Sequence, residues 1–128
     1  MKNQTLYLTL LVVGAVGMIF LLILVGNQHN NNDFTQLYFK DFHDIDTNVD
    51  IGDTLSFKFE IVNKENSVEK YDYRVFVVYD NGEYFNIEEG SVDLENNGKA
   101  TFGSSFEVEY PNGKVYVTAS DFEIFFEF

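Results

Sequence analysis

Apolar side chains recur at every second position through most of residues 34–128, and nothing else restricts this chain's fold as tightly. "TLSFKFEIV" puts Leu55, Phe57, Phe59 and Ile61 in one phase and Ser56, Lys58 and Glu60 in the other. "KYDYRVFVVYD" does the same with Tyr71, Tyr73, Val75, Val77 and Tyr79. A helix would need apolar residues three and four apart, whereas a half-buried strand needs every second one. "KVYVTA" and "DFEIFFEF" continue the pattern, the last aligning Phe122, Ile124, Phe126 and Phe128 on one face.

Turn signals divide these runs. Asp80-Asn81-Gly82 predicts a type I′ hairpin, because Asn-Gly readily takes the positive φ angles it requires. Asn96-Asn97-Gly98 and Pro111-Asn112-Gly113 mark further turns. Between them "EYFNIEE" and a short "SVDL" read as two strands, and Gly103 within "ATFGSSFEVEY" as a bulge. With "FTQLYF" in front, the count is about seven strands. The chain therefore reads as mainly β: an antiparallel β-sandwich of the immunoglobulin-like or fibronectin-like kind, with an up-and-down barrel as the alternative. The Cys…Trp…Cys signature of true immunoglobulin domains is absent, since the sequence has neither residue. The aromatics that fill residues 34–128 supply the core instead, at about 150–250 Å² per ring.

Residues 1–26 are of another kind. "LYLTLLVVGAVGMIFLLILVG", Leu6 to Gly26, has 21 residues and no charge. As a helix it would span about 32 Å, matching a hydrocarbon core of about 30 Å. It exceeds a signal-peptide apolar region, and Leu24-Val25-Gly26 makes a poor cleavage site. The reading is a retained signal-anchor, a single transmembrane helix over 1–26, followed by a polar stalk over 27–33 and one extracytoplasmic domain over 34–128. Lys2 precedes the span and the next basic residue is Lys40, so the N-terminus is expected in the cytoplasm and the rest outside a cell membrane.

Charge then excludes whole classes of partner. The chain has eight basic residues, one of them Lys2, against 21 acidic ones, all from Asp33 onward. Such a surface repels phosphates, so nucleic acid and anionic head groups are not expected ligands. Among the acids, "DFHDIDTNVDIGD" is the densest stretch. Asp44, Asp46 and Asn48 fit the first three positions of a calcium loop, with Asp50 beside them, but Val49 stands where that loop needs Gly and Leu55 where it needs Glu. The favoured reading is the wet side of a strand, Val49 and Ile51 pointing inward. Calcium is the one ion the segment could hold, as an irregular oxygen cage. Two histidines and no cysteine make a zinc enzyme untenable. No phosphate loop or nucleophile motif occurs, no cofactor is implied, and Arg74 reads as half of a cross-strand ion pair.

"FTQLYF" behind an uncharged span, followed by "NVDIGDTLSFKFEIVNKENSVEKYDYRVFV", resembles the C-terminal β-domain of an archaeal membrane-anchored family of unknown function. The shared positions are Phe34 to Phe39, the Gly52-Asp53 turn, Ile61 to Glu65, and Tyr71, Tyr73 and Val75. The resemblance covers most of 34–128 and implies an archaeal cell-surface origin and an Ig-like fold, without catalytic residues. Some members have several spans where this chain has one.

Taken together, these readings lead to a non-enzymatic, membrane-anchored interaction module with a protein partner, an accessory or envelope component. The alternatives are a filament or adhesin subunit, a homo-oligomer joined by strand addition through Phe122, Ile124, Phe126 and Phe128, and a calcium- or glycan-binding surface domain.

Overall fold

The computed structural model describes Asp33–Phe128 together with Gln4 and Ala15, both helical. The expected anchor over 1–26 and the stalk up to residue 32 otherwise lie outside the described residues. Among the described residues no helix is long and apolar enough to cross a membrane.

Asp33–Phe128 forms one compact unit. Its seven strands are β1 (Phe34–Lys40), β2 (Thr54–Lys64), β3 (Glu69–Tyr79), β4 (Tyr84–Leu94), β5 (Lys99–Glu107), β6 (Gly113–Ala119) and β7 (Phe122–Glu127). They make two antiparallel sheets, β1-β2-β5 and β4-β3-β6-β7. The architecture is an open sandwich. Only β1–β2, β3–β4 and β6–β7 are hairpins; the links after β2, β4 and β5 each cross from one sheet to the other.

Alternation explains the packing. Leu55, Phe57, Phe59 and Ile61 of β2 face Tyr71, Val75, Val77 and Tyr79 of β3, all 4% exposed or less. Val115, Val117 and Ala119 of β6 and Phe126 of β7 complete the core. Each large apolar chain so buried contributes about 1.5–3 kcal/mol. Rings meet edge to face at its centre: Phe126 lies 5.0 Å from Phe39 and 5.4 Å from Phe57.

A polar knot closes one end. Asn63 is fully buried, and its Nδ2 donates to the carbonyls of Ser67 at 2.7 Å and Leu94 at 2.8 Å. Its Oδ1 accepts from the Glu65 amide at 2.8 Å. Thr35 Oγ1 donates to Glu65 Oε1 at 2.9 Å, and since a hydroxyl has one proton, the 2.8 Å contact with Tyr71 must be donated by the tyrosine. Thr35, Asn63, Glu65 and Tyr71 all belong to the motif positions singled out in the sequence, and here they tie β1, β2, β3 and the β4 terminus together.

Five expectations need correction. β4 is one strand, not two: between Val75↔Glu88 and Phe76↔Asn86 the register shifts, leaving Ile87 as an extra residue that breaks the alternation. Gly103 is no bulge, because it pairs regularly with Lys58. The β3–β4 turn is not type I′: Tyr79 accepts from the Gly82 amide at 2.9 Å, and of the loop residues only Gly82 has positive φ, +89°. The Asp41–Asp53 segment is not the wet side of a strand but the long connection of the β1–β2 hairpin. Within it Val49 does pack on the core, whereas Ile51 is 61% exposed.

Candidate interaction surface

The phase of each strand that misses the core builds the outer faces. On the four-stranded sheet that phase carries Tyr84 from β4, Arg74 and Phe76 from β3, Lys114 and Tyr116 from β6, and Phe125 from β7. Register brings them together: Phe76 pairs with Tyr116 and Tyr116 with Phe125, while Tyr84 stands opposite Val78, one diagonal step from Phe76. The four rings make a row across the whole sheet, with centroids 5.3, 5.1 and 5.5 Å apart.

Spacing and tilt say how the rings stand. Phe76 and Tyr116 are 11° from parallel at 5.1 Å, too close for coplanar rings lying side by side, so they are offset-stacked with their faces turned to each other. Water meets chiefly their edges. Arg74 caps the column, its guanidinium carbon 5.2 Å from the Phe76 centroid and 5.3 Å from that of Tyr84, with Nε donating to Asn86 Oδ1 at 3.0 Å. The expected ion pair of Arg74 is thus replaced by stacking; Glu89, its register partner, makes no salt bridge with it. At the other end Lys114 Nζ lies 5.4 Å from the Phe125 centroid and 3.5 Å from Glu127 Oε1.

The row ends on an edge. β7 pairs only with β6, and among the described residues nothing lies on its other side in the sheet. Phe122 and Phe125 are 42% and 53% exposed there. Facing β7 across the sandwich is β1, itself an edge, with Phe34, Tyr38 and nearby Phe42 also exposed. Two open clefts run along this flank. One of about 500 Å³ is lined by Leu37, Tyr38, Phe122 and Ile124, and one of about 390 Å³ by Phe39, Phe42, Glu123 and Phe125. Of the predicted strand-addition residues, Phe126 is buried in the core and Ile124 and Phe128 pack against it. Only Phe122 is exposed, so these side chains chiefly close the chain's own sandwich. Sequence reasoning passed over Phe76, Tyr84, Tyr116 and Phe125 by counting every aromatic as core. The signal was their phase: each sits in the polar register of its strand.

The aspartate segment uses its oxygens locally. Asp46 Oδ1 accepts from the Asn48 amide at 3.0 Å and Asp53 Oδ2 from the Asp50 amide at 2.9 Å, both turn-forming bonds. Asp44 ends a single 3-10 turn that Asp41 opens with φ of 53°. Asp44, Asp46, Asn48 and Asp50 are all exposed, and among the described residues no three acidic, histidine or cysteine side chains converge on a point where a metal could sit.

The other outer face holds one shielded acid. Tyr38, Glu60 and Thr101 stand in a row across β1, β2 and β5. The tyrosine hydroxyl donates to Glu60 Oε1 and the Thr101 hydroxyl to Oε2 at 2.7 Å. Glu60 is 4% exposed because these neighbours lie over it, not because it enters the core. The hydrogen bond from Tyr38, then that from Thr101, holds the Glu60 carboxyl below its ordinary range. The same bond pushes the Tyr38 hydroxyl up, and burial pushes up those of Tyr71, Tyr73 and Tyr79. No buried side-chain polar atom among the described residues lacks a partner. The polar interior is spent on structure, and the unsatisfied surface is the aromatic row with its open edge.

No known family's sequence profile matches the chain, and no curated protein matches it. Solved structures share its fold. A β-glucosidase from Listeria innocua is 16% identical with a TM-score of 0.59, over 75% of this chain and 16% of its own. An alkylpurine DNA glycosylase from Pseudomonas fluorescens is 12% identical with a TM-score of 0.56, over 73% of this chain and 29% of its own. A β-glucosidase from Kluyveromyces marxianus is 18% identical with a TM-score of 0.53, over 76% of this chain and 14% of its own. The chain thus spans less than a third of each of these proteins, and what it is similar to in them is a β-sandwich.

Proposed function

We propose that this protein is a membrane-anchored extracytoplasmic interaction module, an accessory or envelope component that acts by contact and not by catalysis. The observation that carries this reading is the outward-facing aromatic row of the four-stranded sheet, half-buried at Phe76 and Tyr116 and exposed at Tyr84 and Phe125, capped by Arg74 and running out onto the unpaired edge of β7. Scattered apolar residues on a surface are ordinary, but a contiguous row ending on an open strand is a contact surface. Strand order, with β4 joined to β3 and not to β5, supports the fibronectin-like form of the Ig-like sandwich. The uncharged run from Leu6 to Gly26, with Lys2 before it and no further Lys or Arg until Lys40, supports the anchor and its orientation. Stacking of the rings on one another leaves few ring faces for a sugar, which weighs against the glycan-binding alternative.

Cysteine labelling tests the placement cleanly, because the chain has no cysteine of its own. Asn81→Cys in the β3–β4 turn should react with a membrane-impermeant maleimide on intact cells, and a cysteine at Lys2 only after lysis. The opposite pattern refutes the topology. A photo-crosslinker in place of Thr118, beside the row, should give one discrete protein adduct in membranes, and its absence there and at β7 refutes the interaction reading.

A further inference from the structure

The open edge of β7 has a readable chemistry. Gly113 and Phe128 exchange both backbone hydrogen bonds, the Gly113 amide to the Phe128 carbonyl at 3.1 Å and the reverse at 3.0 Å. In an antiparallel pair such bonded positions alternate with unbonded ones. Bonding therefore falls at Phe126, Ile124 and Phe122, and the amides and carbonyls of Glu123, Phe125 and Glu127 point away from β6. Those three residues also hold the outward side chains, so the outer face of the edge reads acid, aromatic, acid. The inner face is bordered by the clefts against β1, lined by Leu37, Tyr38, Phe39 and Phe42. The edge of β4 at the far end of the same sheet is bent by the bulge at Ile87, which guards it against pairing. β7 has no such bulge.

We propose that β7 takes an added antiparallel strand from a protein partner whose outward residues run basic, aromatic, basic and whose inward residues are apolar. This rests on the interaction reading above and names its site and ligand. The basic residues would pair with Glu127 and Glu123, the aromatic would lie on Phe125 as a fifth ring of the row, and the apolar residues would fill the clefts beside β1. Charge decides against a second copy of this chain: an antiparallel β7–β7 pair centred on Phe125 sets Glu123 against Glu127 twice, between domains that each carry 21 acidic residues.

The test uses the full chain in micelles of a neutral detergent and three synthetic heptapeptides. Val-Lys-Val-Phe-Val-Lys-Val has the required pattern, Val-Glu-Val-Phe-Val-Glu-Val reverses its charge, and Lys-Val-Val-Phe-Val-Val-Lys moves its charges out of phase. Fluorescence anisotropy should show binding of the first above the other two, weakening with salt. In the Glu123→Lys/Glu127→Lys variant the first peptide should lose about tenfold in affinity and the acidic peptide should overtake it, from two cross-strand charge pairs. Phe125→Ala should cost about threefold to tenfold. Thermal melts of the variants exclude misfolding, and these positions leave the core untouched. Equal binding of all three peptides, or binding unmoved by the charge reversal, overturns the proposal. So does a dimer of the free chain that the charge reversal alters, which assigns the edge to a second copy. If peptides fail while the crosslink at Thr118 persists, the docking edge is wrong and the interaction reading stands; if both fail, both are wrong.

Discussion

Replacing Asn63 by alanine should be the most damaging single polar change in the sandwich. The side chain is fully buried, donates two hydrogen bonds and accepts one. Truncation takes one hydrogen bond from the buried Leu94 carbonyl, which keeps its ladder partner Glu69, at a cost of about 0.5–1.5 kcal/mol. The Ser67 carbonyl and Glu65 amide lie nearer water and lose about 0.5–1.5 kcal/mol each. The expected total is about 1.5–4.5 kcal/mol, and at about 4–8 °C per kcal/mol in a domain of this size a mid-range loss lowers Tm by more than 10 °C. Asn63→Asp should be at least as harmful, since it keeps the acceptor but removes both donors and buries a charge. Urea titration followed by tyrosine fluorescence measures the loss, there being no tryptophan to obscure it. Ser91→Ala, which removes one exposed hydrogen bond to Asp72, serves as the control and should stay within about 0.5 kcal/mol. If both Asn63 variants unfold within 1 kcal/mol of the parent on that order-of-magnitude scale, the knot does not hold the end of the sandwich.

Four further outcomes are expected. Gly90→Ala would place a methyl 2.5 Å from the Tyr73 hydroxyl oxygen, on a ring already wedged against Phe59 and Phe102, and should destabilise by about 1–3 kcal/mol. Gly103→Ala meets nothing within 4 Å and should be neutral or slightly stabilising in the same denaturation assay. Because the Glu60 carboxyl is held below its ordinary value, its contribution is present above pH 4.5 and lost as pH falls through the lowered value. The stability gap between the parent and Glu60→Gln should therefore shrink on acidification across that range and stay constant from pH 6 to 8. Millimolar calcium should not raise Tm, since a cage of six to eight oxygens cannot be drawn from carboxylates that are exposed and separately engaged in turns; an upward shift reversed by chelator would refute that.

The division between core and surface was legible strand by strand. Leu55, Phe57, Phe59 and Ile61 had to share a face because successive side chains in a strand point to opposite sides. Turns at Asn81-Gly82, Asn97-Gly98 and Asn112-Gly113 were legible too, since few residues tolerate positive φ. The bulge at Ile87 was not, because it depends on how β3 and β4 align. The loop character of Asp41–Asp53 was also hidden. Alternating Val49 and Ile51 imitate a strand, but the β1–β2 ladder begins only at Lys40 and Lys58, the β2–β5 ladder only at Thr54, and neither takes in residues 41–53.

The row of rings marks the boundary between the two kinds of information. Period two in the chain determined that Phe76, Tyr84, Tyr116 and Phe125 each leave the core. Nothing in it determined that they would meet, for they lie on four strands and up to 49 positions apart. An alternating pattern specifies which way a side chain points from its own strand but carries no label for the neighbour. Tertiary structure decided the neighbours by registering β4, β3, β6 and β7 so that their inner faces filled one core, and the outer rings were stacked by that choice.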